Sequence, residues 1–236
     1  MAIDSGPVTR NYVLQVLRGS WSALPVLLCV SVVSCVVAGL TAYAFPGTTP
    51  VGVLVLGVVI VPLLATLVQF MQDAIGPDAY GFMGYLRRFP FAVLRTVGVS
   101  VVPSVVAAIS LVALGAWNAT GNYFWLIPLG VGATSTVLTV LGMIIAIPVR
   151  LAAPKVTVRQ LWSVSFTIVA RAPIPVVAVP AIGVLGIWAC LSFSAGLVII
   201  VPPMLAVVWA AGALTSCKQA GFALLPDEAD LPTITT

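Results

Sequence analysis

Six stretches of this chain, residues 24–45, 51–71, 97–117, 124–148, 174–191 and 196–214, contain no Lys, Arg, Asp or Glu. Each is close to the ~20 apolar residues that cross the hydrocarbon layer of a bilayer. Within that layer no water satisfies the backbone, so a spanning segment must close its own hydrogen bonds as a helix or join a closed barrel. Runs of this length predict an all-α membrane protein with six transmembrane helices. Composition argues against a soluble fold: 61% of the 236 residues are apolar and 7% charged. A soluble domain carries about 25% charged residues, so this chain has too little polar surface to cover a water-exposed particle.

The charges give an orientation. The ten basic residues are Arg10, Arg18, Arg87, Arg88, Arg95, Arg150, Lys155, Arg159, Arg171 and Lys218. With six spans and a cytoplasmic amino terminus, all of them face the cytoplasm. The turns on the other side, residues 46–50, 118–122 and 192–195, are uncharged. This is a positive-inside distribution, and an odd number of spans would break it. Both termini are therefore expected in the cytoplasm and the chain in the cell membrane. A cleaved signal peptide is the competing reading of the first span, because Ala42-Tyr43-Ala44 resembles a cleavage site. Against it, the span is longer than the 7–15-residue core of a signal.

Three places in the sequence look alike. Val16-Leu17-Arg18, Val93-Leu94-Arg95 and Val169-Ala170-Arg171 recur about every 77 residues, each followed within ten residues by a proline (Pro25, Pro103, Pro180). Residues 1–221 then read as one transmembrane domain of three repeats, 7–77, 78–154 and 155–221, followed by a polar tail at 222–236. Each repeat consists of an amphipathic elbow helix and a helical hairpin, and all three share one orientation. The third elbow is the clearest. Arg159, Ser163, Thr167 and Arg171 form one polar stripe at helical spacing, and Leu161, Val164, Phe166 and Ile168 cover the rest. Thr157 and Gln160 form a capping-box start. The elbows fit helices lying in the headgroup layer or cytoplasmic extensions of the spans, and the pattern alone does not separate the two.

Helices in a bilayer associate through small residues, because lipid tails are as apolar as leucine. The expected contact faces carry Ser31, Ser34, Cys35, Ala38 and Ala42 on the first span, Ser100, Ser104, Ala107 and Ala108 on the third, and Ala206, Ala210 and Ala213 on the last. Pro62, Pro103, Pro180, Pro202 and Pro203 predict kinks. The four cysteines have no metal-ligand spacing and read as packing residues.

The chain has no histidine, no P-loop and no nucleophile elbow. Its acidic residues lie in the tails or cytoplasmic connections, so neither catalysis within the bilayer nor coupling to ions is expected. No catalytic residue, cofactor or metal is assigned, and nucleic acid is not an expected partner. Two sets of residues remain as candidates. Arg18, Arg95 and Arg171 are expected at equivalent positions on the cytoplasmic interface, as topological anchors or as contacts for membrane lipids or a protein partner. Gln69, Thr134, Ser135 and Thr139, with Thr136, are the most polar intramembrane groups. They could line a path for a small neutral solute, or the hydroxyls could bond their own helix backbone. Assembly of several copies is left open.

From residue 147 to residue 218 the chain resembles the YesL-like family of bacterial integral membrane proteins, a family of unknown biochemical function. The resemblance is carried by Ile147-Pro148-Val149-Arg150, then Val156-Thr157-Val158-Arg159-Gln160-Leu161, then Ala170-Arg171 and two closing spans. It implies a non-enzymatic accessory or assembly component beside a carbohydrate transport system of the ABC type, with no catalytic residues to carry over. A small transporter or channel for a neutral solute is the alternative, and a lipid-metabolising enzyme using the cytoplasmic arginines is a third. The lack of a general base near those arginines argues against the third.

Overall fold

The computed structural model describes residues 25, 27–41, 43–45, 49–75, 82–153, 156–192 and 199–222. Arg18 and the first elbow, Pro77 and Asp78, Lys155, and the tail beyond Phe222 lie outside the described residues. Among the described residues there is no strand. The helices are α1 (Leu27–Thr41), α2 (Pro50–Ile75), α3 (Phe82–Thr120), α4 (Leu126–Ala152), α5 (Val158–Arg171), α6 (Pro173–Ser192) and α7 (Val201–Gln219). Five of them, α2, α3, α4, α6 and α7, are long and apolar enough to cross a membrane, and α1 is a shorter apolar helix. The fold is all-α and of multi-pass membrane type.

α3 and α4 form a hairpin closed by Gly121, with φ +64°, and a 3₁₀ turn at Tyr123–Trp125. Asn122 Oδ1 accepts the Phe124 N–H at 3.0 Å to start that turn. Tyr123 and Phe124 stand exposed there, as aromatic residues do at a membrane interface. The helix alternation puts every described cation at the opposite end: Arg87, Arg88 and Arg95 near the start of α3, Arg150 at the end of α4, Arg159 and Arg171 on α5, and Lys218 at the end of α7.

Small residues set the close approaches. A Cβ on Gly57 of α2 would lie 1.9 Å from Ser104 Oγ of α3, and one on Gly132 of α4 would lie 2.4 Å from Ser110 Oγ. Of the contact faces read from the sequence, Ser31, Ser34, Ser100, Ser104, Ala108, Ala206, Ala210 and Ala213 are buried, Cys35, Ala38 and Ala107 are half-buried, and Ala42 lies outside the described residues. The hydroxyls of Ser31 and Ser34 find no partner among the described residues. Most other intramembrane hydroxyls bond backwards along their own helix, as Thr96 Oγ1 does to the Ala92 carbonyl (2.8 Å) and Ser104 Oγ to that of Ser100 (2.7 Å). α2, α4 and α7 touch one another. Leu67, Val68 and Met71, Ile144, Ile145 and Ile147, and Ala206, Trp209 and Ala213 belong to one buried cluster among them.

The prolines act in two ways. Pro62, Pro90, Pro103, Pro148 and Pro180 lie inside helices, where each removes the N–H that would bond the carbonyl four residues earlier. The carbonyl freed by Pro148 belongs to Ile144, and Trp209 of α7 donates its indole N–H to it at 2.6 Å. A neighbouring helix thus replaces the lost donor. Pro202 and Pro203 correct the expectation of a kink. They lie in the first turn of α7, where N–H groups have no intrahelical partner and proline costs nothing, so they set the start of the helix. α7 also runs beyond the end expected at residue 214. It closes at Gly221, with φ +80°, through bonds from Gly221 N to the Lys218 carbonyl and from Phe222 N to that of Cys217, a glycine-terminated C-cap.

Candidate functional site

The cation-bearing end is built around α5. Thr157 and Gln160 form the expected capping box, with both side chains closing on the helix start. Leu161, Ser165 and Ile168 are fully buried against the bundle, while Arg159, Ser163, Thr167 and Arg171 form an exposed stripe on the opposite face. Phe166, expected on the apolar face, is 40% exposed. Its ring and that of Trp162 lie 5.5 Å apart over Gly142 of α4, where a Cβ would meet Trp162 at 2.8 Å.

Two arginines tie α5 down. The guanidinium of Arg150, in the last turn of α4, donates to the Val156 carbonyl just ahead of the helix. At the other end Arg171 Nη1 donates to the Ala220 carbonyl at the C-cap of α7, 3.3 Å away. A cation there satisfies an orphan carbonyl and complements the negative end of the helix dipole. With both ends held at the same end of the bundle, α5 runs across it. The breaks on either side are alike: Ala153 (φ −126°, ψ 76°) and Ala172 (φ −135°, ψ 67°) each precede a proline, which disfavours the helical region for the residue before it.

Arg95 sits in a different setting. It is exposed on α3, a single helix of 39 residues running through both Pro90 and the junction with the span. Arg95 makes no hydrogen bond or ion pair among the described residues. The structure therefore gives Arg95 and Arg171 different surroundings at the same end of the bundle, and Arg18 is not described.

The second candidate set is dispersed. Thr134, Ser135 and Thr139 share α4; Thr134 is exposed and the other two half-buried. Thr134 Oγ1 donates to the Gly130 carbonyl (2.9 Å) and Thr139 Oγ1 to that of Ser135 (2.8 Å). Gln69 is half-buried on α2, roughly 10–16 Å further along the bundle axis at 1.5 Å per residue. A cleft of about 330 Å³ lies between α2, α3 and α4, lined by Gly57, Ile60, Pro103, Ser104, Thr136 and Met143 among others. Of the hydroxyl cluster only Thr136 reaches it, with its hydroxyl bound to the Gly132 carbonyl at 2.8 Å. Sequence reasoning missed the Trp209–Ile144 bond and the Arg150 tie, since both depend on which helices become neighbours.

No protein-family model, curated protein or solved structure matches this chain.

Proposed function

We propose that the chain is a non-enzymatic protein of the cell membrane that works by contact with lipids and with other membrane proteins. It has six spans, α1 completing the set, both termini in the cytoplasm and three parallel repeats. Equal intervals support the repeats: Phe82 to Val158, Arg95 to Arg171 and Pro50 to Leu126 span the same number of residues. Burial supports them too, with Ala92 and Thr96 buried in one elbow as Ile168 and Ala172 are in the next.

The observation that carries the functional reading is the filled centre. The second helices of the three units, α2, α4 and α7, meet through Leu, Ile, Ala, Met and Trp side chains, and the hydroxyls nearby are engaged with backbone carbonyls. What the molecule offers to others is its outer surface: a belt of large apolar residues and one cationic end.

Only the resemblance of residues 147–218 links the chain to carbohydrate uptake, where it would serve as an accessory or assembly component of an ABC-type transporter. The alternative is a small transporter for a neutral solute, which would have to enlarge the cleft between α2, α3 and α4. Liposomes separate the two. The purified chain alone should not pass labelled sugars or glycerol, and it should co-purify with a carbohydrate permease when the two are co-expressed. Flux by the chain alone would overturn the contact reading, and loss of the permease in mild detergent would remove the transporter association.

A further inference from the structure

We propose that Arg95, where the amino-terminal arm of α3 enters the membrane-length part of the helix, holds an anionic lipid headgroup as its phosphate contact, while Arg171 serves as an internal brace; this rests on the membrane-spanning reading above. Arg95 and Arg171 occupy matching places in the sequence, yet Arg171 gives a hydrogen bond to the end of α7 and Arg95 is exposed with no protein partner among the described residues.

Depth points to lipid. Measured from the charge-free tip, Arg95 on α3 lies level with Arg150 at the end of α4, about 38 Å away at 1.5 Å per residue. A bilayer has a hydrocarbon core of about 30 Å and a total thickness of about 40–45 Å, so both arginines fall in the headgroup layer. The surroundings point the same way. Arg95 stands on an exposed helix face with the exposed Leu94 beside it. Leu94 is 75% exposed, as befits a side chain at the boundary of the acyl chains while the neighbouring guanidinium reaches to a phosphate. The arm contains no acidic residue, and a guanidinium matches phosphate oxygens in a two-bond fork.

Each arginine near an anionic surface strengthens binding by about fivefold. The test uses the full-length protein in nanodiscs of phosphatidylcholine with and without phosphatidylglycerol. Retained lipid is counted by native mass spectrometry, and the unfolding midpoint is recorded. Wild type should retain phosphatidylglycerol in preference. Arg95→Gln should lower that retention about fivefold, Arg95→Lys should keep most of it, and Arg171→Gln should lower the midpoint in pure phosphatidylcholine while keeping the preference. No preference in wild type, an unchanged preference in Arg95→Gln, or an equal loss in Arg171→Gln would overturn the proposal. Inorganic phosphate competing as well as the lipid in detergent would overturn the lipid assignment. A wild-type chain that stays out of the bilayer would sink the membrane reading itself, a result distinguishable from lost lipid preference.

Discussion

The arm of α3 from Phe82 to Arg95 and the helix α5 from Val158 to Arg171 have the same length and end on the same residue type, yet they are used differently. The first continues without interruption into a membrane-length helix, and the second is cut off at Ala172 and laid across the end of the bundle. The following residues account for this. After Arg171 come Ala172, Pro173, Ile174 and Pro175, and after Arg95 come Thr96, Val97, Gly98 and Val99. In a continued helix Pro173 and Pro175 would each delete a backbone bond. In the first turn of a new helix they delete none. At the matching place on α3, Thr96 keeps the helix intact, its hydroxyl bonded to the Ala92 carbonyl. Equivalence in sequence therefore fixes where an arginine stands along the chain, while the next three residues decide what it touches.

The largest expected effect comes from erasing that distinction. Val97→Pro places a proline inside the continuous α3, at a cost of about 3 kcal/mol. It should either lower the unfolding midpoint strongly or fold the arm over as α5 is folded. Spin labels at positions 87 and 109 would report the shortened distance, and an unchanged midpoint and distance would show that the prolines are not what separates the two elbows.

The next largest effect concerns the joint beneath α5. Trp209→Phe leaves the Ile144 carbonyl, already without its own donor because of Pro148, buried and unpaired. An unsatisfied buried polar group costs about 1–3 kcal/mol. Pro148→Ala restores the missing N–H, so the double variant should recover part of the loss in thermal unfolding. A double variant no better than Trp209→Phe alone would mean that packing of the ring, rather than its N–H, is what matters.

A smaller effect is expected at the start of α5. Thr157→Ala removes the capping box at a cost of about 1 kcal/mol. Hydrogen exchange should quicken over the first turn of α5 and stay unchanged in the arm of α3. Faster exchange in both would indicate that the two elbows unfold as one unit.

Much of this architecture was legible in the sequence because the bilayer imposes it. Runs free of charge marked the long helices, and the basic residues marked one end, where the seven described cations stand. The Ser and Ala stripes marked buried faces, with Ser100, Ser104, Ala206, Ala210 and Ala213 all inside. Thr157 and Gln160 announced a helix start through local chemistry alone. What the sequence left open depended on neighbours in space. Elbow and extension share one hydropathy pattern; α5 is a separate helix, while the arm of α3 is continuous with the helix that follows it. Pro202 and Pro203 read as kinks because the start of α7 was placed five residues too early. Thr134 and Thr139 read as a path or, more readily, as back-bonded hydroxyls, and both hydroxyls bond along their own helix. The Trp209 indole and the Arg150 guanidinium carry no local signal for the distant carbonyls they bind.

Sidedness tests the central claim most directly. Single cysteines placed at positions 95, 171 and 123 in a cysteine-free background, in intact cells, can be challenged with a membrane-impermeant thiol reagent before and after permeabilisation. The structure and the charge distribution predict that position 123 reacts in intact cells while positions 95 and 171 react only after permeabilisation. Labelling of 95 and 171 from opposite sides would contradict the arrangement of spans on which every functional statement above depends.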